Sequence, residues 1–401
     1  MMTNRSEEKI AAPCRNVVLL TNGPGELWGW VRPFAAELLR RGWDVSLRIL
    51  PCQFASGEEE RVARSLGITD VSGPESALRT ALSLRAVGKK GTNAQVDALV
   101  QLGGDLLWGR LLSASCRAPL FCYAYGPKKG MGRCASMFTA YREMAVSIVS
   151  AAEGRALEQA GKVHVAGDLV ADSLARFPDA IRGDDVEEGR WPRVAFFPGS
   201  RENIRRFALP LIREAAADLR KRFPSLEALV VISPFASESE AERFREEGLI
   251  PVRGGNGEAL RGVDFAVTQP GTNTLELMRC SVPFLVAVPF SSLRHIPLPG
   301  AVGVLARIPL LGPVLREAAL RAKGRRTGFL AWPNRLAGRI VVDEMIGEVS
   351  AHDVAERVAE RILDEKYLAD TRKALSEIAG SAPPGAAAAM ADHIERMLSE
   401  R

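Results

Sequence analysis

Two loops of this 401-residue chain carry residue types that suit the binding of a diphosphate. Each loop follows an apolar run that predicts a β-strand and precedes a pattern that predicts a helix. The first reads Pro198-Gly199-Ser200-Arg201, and the second reads Gly271-Thr272-Asn273-Thr274. A helix N-terminus offers unpaired backbone N–H groups and a favourable dipole to an anion, and a glycine lets the backbone come close. The two loops therefore predict a phosphate site.

The side chains of the two loops extend this prediction. Ser200 is placed to donate its hydroxyl, and Arg201 to bind a diphosphate through two N–H groups. Glu276, one turn into the second helix, is placed to accept hydrogen bonds from ribose hydroxyls. Either loop alone also reads as an ordinary turn or helix cap, so the prediction depends on finding both, about 70 residues apart in one half of the chain.

Alternating strand and helix patterns must position these loops. They predict two doubly wound, Rossmann-like domains that face each other across a cleft, with ligands at the carboxyl ends of parallel strands. We expect an N-terminal domain over 1–170 and a C-terminal domain over 171–382. A helix over 383–401 is expected to return to the first domain. The predicted strands cover 16–21, 45–49, 98–102, 120–125, 193–197, 228–233, 265–268 and 284–289. The predicted helices cover 28–40, 58–66, 207–222, 237–247, 274–278 and 386–398.

Composition narrows the class of protein. The six cysteines are scattered without metal-ligand spacing, which is typical of reduced thiols, and residues 1–12 lack the apolar run of a secretory signal. A cytoplasmic protein is therefore expected.

Residues 291–330 hold seven Lys/Arg against one acid, which leaves the rest of the chain near neutral. A basic charge confined to one apolar segment argues against a nucleic-acid surface and predicts an insertion in the membrane interface, with a solvated basic loop as the alternative.

The loop sequences also carry a resemblance. Phe197 to Arg201 and Gly271 to Glu276 resemble the donor-site signatures of the lipid-A-disaccharide synthases, which are glycosyltransferases of GT-B architecture. A third stretch, Pro333 to Glu344, resembles the family's Pro-Asn segment near the nucleotide and adds Asn334 and Arg335 to the predicted donor site. The order of these matches is kept from about residue 16 to residue 365. The resemblance implies a UDP-sugar bound by the second domain and a lipid-linked acceptor near the first.

The departures from the family pattern fall mainly in the first half. Where the family has Gly-Glu-x-Ser-Gly-Asp, this chain has Gly25-Glu26-Leu27-Trp28-Gly29-Trp30. The acidic residue that usually follows the loop arginine by three positions is Ile204 here. Donor chemistry is therefore expected to be kept and acceptor recognition to be changed.

An inverting sugar transfer needs a carboxylate that takes the proton of the acceptor hydroxyl. Asp105, which follows a predicted strand in Gly103-Gly104-Asp105, is the first candidate, and capping of the next helix is its alternative role. Glu26 is the second candidate. The sequence has no Asp-x-Asp element to hold a metal on the diphosphate. Stabilisation of the negative charge on the leaving diphosphate is therefore assigned to Arg201 and the helix N-termini. The UDP-sugar is the expected co-substrate, with no cofactor or metal.

These observations predict an inverting, metal-independent hexosyltransferase that moves a sugar from a UDP-sugar to a glycolipid acceptor. Through 291–330 it is expected to lie on the inner face of the cytoplasmic membrane. Two alternatives stay open. One is an enzyme like the UDP-N-acetylglucosamine 2-epimerases, which share the architecture, and the other is a member that binds a nucleotide sugar or a lipid without turnover.

Overall fold

Two parallel β-sheets, one in each half of the chain, organise the protein. The computed structural model describes residues 15–50, 59–73, 96–175, 192–199, 202–234, 236–254, 257–289 and 328–401. Within these ranges the first sheet has seven strands in the order β3-β2-β1-β4-β5-β6-β7. They are β1 Asn16–Thr21, β2 Asp44–Ile49, β3 Asp70–Ser72, β4 Ala98–Leu102, β5 Leu120–Tyr123, β6 Ser136–Thr139 and β7 Val163–Val165.

The second sheet repeats the same winding. Its six described strands run in the order β10-β9-β8-β11-β12-β13, and neighbouring strands in both sheets pair in parallel. They are β8 Arg193–Phe196, β9 Glu227–Ile232, β10 Ile250–Arg253, β11 Phe265–Thr268, β12 Phe284–Pro289 and β13 Asp343–Gly347. In each sheet the chain order reverses beside the first strand, at β1/β4 and at β8/β11. A crevice opens at the carboxyl ends of the strands at such a switch point.

Helices cover both faces of the sheets, which is why the central strands are apolar along their whole length. In the first half they are α1 Arg32–Arg40, α2 Glu59–Ser65, α3 Leu106–Cys116, α4 Arg142–Ser150, α5 Ala152–Gln159 and α6 Leu169–Ala175. In the second half they are α7 Glu202–Arg222, α8 Glu238–Glu246, α9 Asn273–Arg279, α10 Trp332–Ala337, α11 Ala351–Leu363, α12 Glu365–Gly380 and α13 Ala386–Ser399.

The segment after β1 is helical from the glycine turn onward. It begins as an α-helical turn over Pro24–Glu26, widens to a π-helix over Leu27–Val31 and continues as α1. Leu27, Trp30 and Val31 are buried against the first domain. A π-helical turn redirects side chains within a helix and is frequent at functional sites. Here it sets which residues of the Gly25 to Trp30 segment face the second domain.

The last helix returns to the first domain, as expected. α13 packs against α1 and α6. Arg41 forms an ion pair with Asp392 at 2.7 Å, and the Ser136 hydroxyl lies 2.9 Å from Nε2 of His393. The Asp172 carboxylate accepts hydrogen bonds from the backbone N–H groups of Gly385 and Ala387 at the start of α13. The predicted fold class, two Rossmann-like domains with a returning C-terminal helix, is confirmed.

Two sequence predictions extend beyond the described residues. The predicted boundary between the domains at residue 170 lies shortly before residues 176–191, which the structure does not describe, so the bounds at 170 and 382 stay predictions. The expected membrane insertion at 291–330 lies outside the described residues except for its last three positions. None of the helices in the described ranges has the length and apolar character needed to cross a bilayer.

Candidate active site

A cleft of about 710 Å³, counted with the part open to solvent, lies between the two domains. Its walls come from the carboxyl ends of strands in both sheets, where a doubly wound fold binds its ligands. Gly25, Trp28 and Gly29 line it from the first domain, with Ser173 of α6 beside them. The second domain contributes the two predicted phosphate loops through Gly199, Thr272, Asn273 and Glu276.

The loop after β8 needs its glycine. Gly199 has a φ of +107°, which L-residues with a side chain rarely adopt. A Cβ at this position would lie 2.9 Å from Cγ2 of Ile204 and 3.5 Å from Oε1 of Gln269. The Nε2 group of Gln269 in turn donates to the Pro198 carbonyl at 3.4 Å, which ties this loop to the end of β11. Ser200 and Arg201 lie outside the described residues.

A buried ion pair, which no local sequence pattern indicates, supports the same loop. Arg205 in α7 and Glu240 in α8 are almost fully buried and form two hydrogen bonds with each other, one of them 2.8 Å long. Arg205 also donates to the Gly199 carbonyl at 3.5 Å. Glu240 thus supplies a carboxylate near this loop, although the family's acidic position is Ile204 in this chain. The spacing of 35 residues gives no local signal for such a pair.

The loop after β11 brings its predicted residues to the cleft. Thr272, Asn273 and Glu276 are half-buried and line it, whereas Thr274 is buried. The Thr274 hydroxyl donates to the Gly271 carbonyl at 2.8 Å and accepts from the backbone N–H of Trp332 at 3.2 Å. A Cβ at Gly25 of the first domain would lie 3.5 Å from Oγ1 of Thr272. The two domains therefore approach each other at this loop.

The third predicted stretch places Asn334 and Arg335 in different surroundings. Asn334 is fully buried, and its side chain makes four hydrogen bonds, which occupy both of its amide hydrogens and its carbonyl oxygen. The partners are the backbone of Val341 and Val342 and the carboxylate of Glu344. That carboxylate also accepts from the backbone N–H groups of Leu330 and Ala331. The Asn334 side chain therefore makes its hydrogen bonds within this segment and supports it, and a contact between Asn334 and the donor stays a prediction.

Arg335 differs from its neighbour because it lies at the surface. Its guanidinium stacks over the Trp332 ring at 4.0 Å, and desolvation lowers the pKa of Arg335. Trp332 packs edge-on against Tyr125 of the first domain with ring centroids 5.3 Å apart, and Tyr125 packs against Trp30 at 4.8 Å. Arg335 therefore belongs to a row of aromatic contacts that crosses between the domains.

A buried ion pair joins the domains beneath this row. Asp168 before α6 is fully buried and receives two hydrogen bonds of 3.1 Å from Arg279 at the end of α9. The hydroxyls of Tyr125 and Tyr141 also donate to Asp168, at 3.0 and 3.3 Å. Burial, and then the Asp168 carboxylate, raise the pKa of both tyrosines, which stay neutral donors. Sequence patterns gave no sign of this connection.

The two predicted bases occupy different surroundings. Asp105 is exposed, and its Oδ1 accepts a hydrogen bond of 2.9 Å from the Leu107 N–H, so it is the N-cap of α3. Glu26 is half-buried at the crevice between β1 and β4, where a Cβ at Gly103 would lie 2.7 Å from its Cγ. No other residue that the structure describes forms a hydrogen bond or an ion pair with the Glu26 carboxylate. Asp105 thus has a structural role, whereas Glu26 has none of this kind.

Comparison with known proteins agrees with this architecture. A family model described as lipid-A-disaccharide synthetase matches residues 162–296. A lipid-A-disaccharide synthase of Myxococcus xanthus is 28% identical over 212 residues, which are 52% of this chain and 49% of that protein. The enzyme of Chromohalobacter salexigens is 24% identical over the same shares. Over these residues the chain is similar to lipid-A-disaccharide synthases. It spans about half the length of the curated relatives that it matches. The family match includes both predicted phosphate loops but not Pro333 to Glu344.

Solved structures share the fold over nearly the whole chain. The S. aureus MnaA–UDP structure has a TM-score of 0.60 at 13% identity and covers 96% of this chain and 97% of its own. A putative UDP-N-acetylglucosamine 2-epimerase from Listeria monocytogenes has a TM-score of 0.55 at 14% identity, with 97% and 98% covered. The calicheamicin glycosyltransferase CalG4 has 0.56 at 13%, with 97% and 99% covered. The architecture is therefore that of GT-B glycosyltransferases, and the epimerase structure shares it.

Proposed function

We propose that this protein transfers a sugar from a UDP-sugar to a lipid-linked acceptor, with inversion and without a metal ion. The observation that carries the proposal is the cleft that places Gly199, Thr272, Asn273 and Glu276 of one domain opposite Gly25 of the other. The similarity to lipid-A-disaccharide synthases supports it, because the matched residues 162–296 include all the donor-side positions just named.

The donor is assigned to the second-domain wall of the cleft. Its diphosphate is proposed to lie between the Gly199 and Thr272 loops, with Ser200 and Arg201 at the first loop and Asn273 at the second. Glu276 is proposed to accept hydrogen bonds from the ribose. Beyond these residues the wall is mostly apolar, through Phe197, Val231, Ile232 and Pro234, with Ser233 among them. An apolar wall with a few polar groups suits a planar base whose orientation is fixed by hydrogen bonds.

Between the two candidate bases, the geometry favours Glu26. Its carboxylate lies beside Gly23 and Gly103 at the switch point of the first sheet, one residue along the chain from Gly25 of the cleft wall, and no described group competes for it. One carboxylate oxygen of Asp105 already accepts a hydrogen bond from the Leu107 N–H at the start of α3. A general base needs an oxygen within reach of the acceptor hydroxyl, and an unpaired carboxylate supplies one without breaking a helix cap. Glu26 is thus the proposed base, with Asp105 as the alternative.

A matched pair of variants separates these assignments. Glu26→Gln is expected to lower kcat by about 100-fold or more while UDP affinity stays unchanged, because proton abstraction matters only in the transition state. Asp105→Asn keeps the helix cap, since Asn and Asp are equally good at this position. It is expected to leave kcat and the melting temperature unchanged. If Asp105→Asn removes turnover and Glu26→Gln does not, the roles are reversed.

The acceptor side is proposed to hold a glycolipid. Trp28 lines the cleft where the resembled family has serine, and Arg32 stacks over its ring at 4.2 Å. This bulkier wall supports an acceptor that differs from the family's. A peripheral position on the inner face of the cytoplasmic membrane, through 291–330, is part of the same proposal.

One assay distinguishes transferase, epimerase and non-catalytic binding. UDP release is measured from a UDP-sugar with and without a lipid extract, and the lipids are then compared by mass spectrometry. The proposal expects release only with the extract, together with a lipid heavier by one sugar. Conversion of the soluble UDP-sugar without acceptor would identify an epimerase. Tight UDP-sugar binding with neither reaction would identify a binding protein.

A further inference from the structure

Gln101 is a buried polar residue in the middle of the first sheet. It lies in β4 and is 0% exposed, whereas the other residues of this strand are buried and apolar: Ala98, Leu99, Val100 and Leu102. A strand that is covered by helices on both faces normally carries apolar residues throughout. A buried amide costs free energy unless its hydrogen bonds are made. Packing alone therefore does not explain a glutamine at this position.

The Gln101 amide holds the turn that follows β4. This turn, Gly103-Gly104-Asp105, is called the β4 turn. Nε2 of Gln101 donates to the Gly103 carbonyl at 2.9 Å and to the Asp105 carbonyl at 2.8 Å. Nζ of Lys128 donates to the Gly104 carbonyl at 3.2 Å. Side-chain donors therefore hold all three carbonyls of the β4 turn, and Gln101 supplies two of the three hydrogen bonds.

The oxygen of the same amide has no hydrogen bond. Oε1 of Gln101 is buried, and no residue that the structure describes donates to it. It lies against α3 at Gly109, where a Cβ would collide with it. Buried polar atoms are rarely left unpaired in folded proteins, and exceptions are expected at functional sites. The cost of this unpaired oxygen indicates that the position of the β4 turn matters for function.

The β4 turn contacts the proposed base. A Cβ at Gly103 would lie 2.7 Å from Cγ and 3.4 Å from Cδ of Glu26, so the glycine backbone packs directly against this side chain. On its other side the Glu26 carboxylate lies beside Gly23. No other residue that the structure describes forms a hydrogen bond or an ion pair with this carboxylate. Packing against the two glycines therefore decides where the carboxylate of Glu26 lies.

We propose that Gln101 is a positioning residue of the sugar transfer, which acts by holding Gly103 against Glu26. The inference rests on the proposed function. In that reaction the acceptor hydroxyl gives its proton to the Glu26 carboxylate while its oxygen bonds to the anomeric carbon. The bond from that carbon to the diphosphate breaks, and UDP leaves with the electron pair. A displacement of about 1 Å at a group that takes part in such a step costs up to about 100-fold in rate.

The kinetics of Gln101→Met test this role. Methionine keeps the length of the side chain and removes both N–H donors. With the lipid extract as acceptor, kcat for UDP release is expected to fall about 10- to 100-fold. The Kd for UDP is expected to stay unchanged in calorimetry, because the proposed donor wall belongs to the other domain. In a Glu26→Gln background the same substitution is expected to change kcat by less than about twofold, since residues that act as a unit are not additive.

A second variant disturbs the same amide without replacing it. Gly109→Ala places a Cβ against Oε1 of Gln101 and is expected to lower kcat in the same way, again with little effect in the Glu26→Gln background. Gly380→Ala is its control, because a Cβ there meets nothing within 4 Å. Ser136→Ala is the control for Gln101→Met, since Ser136 is a buried polar residue in β6 of the same sheet. It is expected to lower the melting temperature and to leave kcat unchanged.

The outcomes separate the positioning role from the proposed function. Wild-type kcat in both Gln101→Met and Gly109→Ala would overturn the positioning role, even if these variants melt earlier. An equal loss of kcat with and without Glu26→Gln would also overturn it, because Gln101 would then not act through Glu26. If Gln101→Met does not fold, Gly109→Ala decides in the same two backgrounds. Absence of UDP release by the wild type would remove the proposed function itself, and the positioning role with it.

Discussion

The Asp168–Arg279 ion pair gives a quantitative prediction for the contact between the domains. Arg279→Met removes two hydrogen bonds to the Asp168 carboxylate, one of 2.6 Å to the Tyr141 hydroxyl and one of 2.6 Å to the Ala379 carbonyl. Asp168 is left as a fully buried charge without its cation. Removal of one partner of a buried pair costs about 3 to 5 kcal/mol. Because Tyr125, Tyr141 and the Val170 N–H still donate to Asp168, the lower end is expected.

Chemical denaturation followed by circular dichroism measures this cost. A loss of about 3 kcal/mol in the free energy of unfolding is expected, or a melting temperature lower by about 6 to 12 °C for domains of this size. Asp168→Asn/Arg279→Met removes both charges and is expected to recover about half of the loss. The matched control is Arg213→Met, which breaks exposed pairs with Glu214 and Glu247 and is expected to cost about 0.5 kcal/mol or less. A cost below about 1 kcal/mol for Arg279→Met, or no recovery in the double variant, would refute the reasoning.

Three further predictions follow from single residues. Asn334→Ala leaves buried backbone groups and Glu344 without partners and is expected to lower stability by about 3 kcal/mol in thermal melts; unchanged stability would contradict its supporting role. Gly199→Ala gives a Cβ to a residue with a φ of +107° and places that Cβ against Ile204. It is expected to weaken UDP binding in calorimetry by about tenfold or more. Equal affinity would show that the loop relaxes freely. Burial, with His164 and Arg396 next, lowers the pKa of His393 from 6.5 to about 4. As the pH falls from 6.5 to 4, His393 therefore takes up a proton in the unfolded chain before it does so in the folded protein. The stability that His393 contributes is complete above pH 6.5 and is lost toward pH 4. His393→Leu should flatten that part of the melting-temperature profile, and an unaltered slope would exclude His393 as the source of the pH dependence.

The sequence predicted the central strands well, because strands that are buried on both faces are apolar along their whole length. β4, β11 and β12 begin and end where the pattern placed them. The strands β3, β6, β7, β10 and β13 were missed. All of them except β13 have only three or four residues, and in β10 no residue is buried. α7 begins at Glu202, whereas the predicted helix began at Phe207. The apolar pattern starts late in that helix because its first five residues, Glu202 to Arg206, are polar except for Ile204.

The site was predictable only where the local sequence has a strong backbone requirement. Gly199 and the Thr272 loop were identified because a glycine or a helix N-terminus after a strand has few alternatives. Asn334 was assigned to the donor by resemblance, and resemblance does not distinguish a residue that contacts a ligand from one that holds the loop in place. The pairs Arg205–Glu240 and Asp168–Arg279 join residues 35 and 111 positions apart. Their contacts follow from how helices and domains pack, which no local pattern encodes.

Calorimetric titration of the full chain with UDP tests the central claim most directly. Wild type, Arg201→Ala and Glu276→Ala are titrated, with Arg213→Met as a charge-removing control remote from the cleft. Wild type and the control are expected to bind equally. Arg201→Ala is expected to lose about 1.5 to 3 kcal/mol of binding free energy, and Glu276→Ala about 1.5 kcal/mol or more, as hydrogen bonds to charged groups are removed. Absence of UDP binding by the wild type, or unchanged affinity in both cleft variants, would contradict the assignment of a UDP-sugar donor site to this cleft.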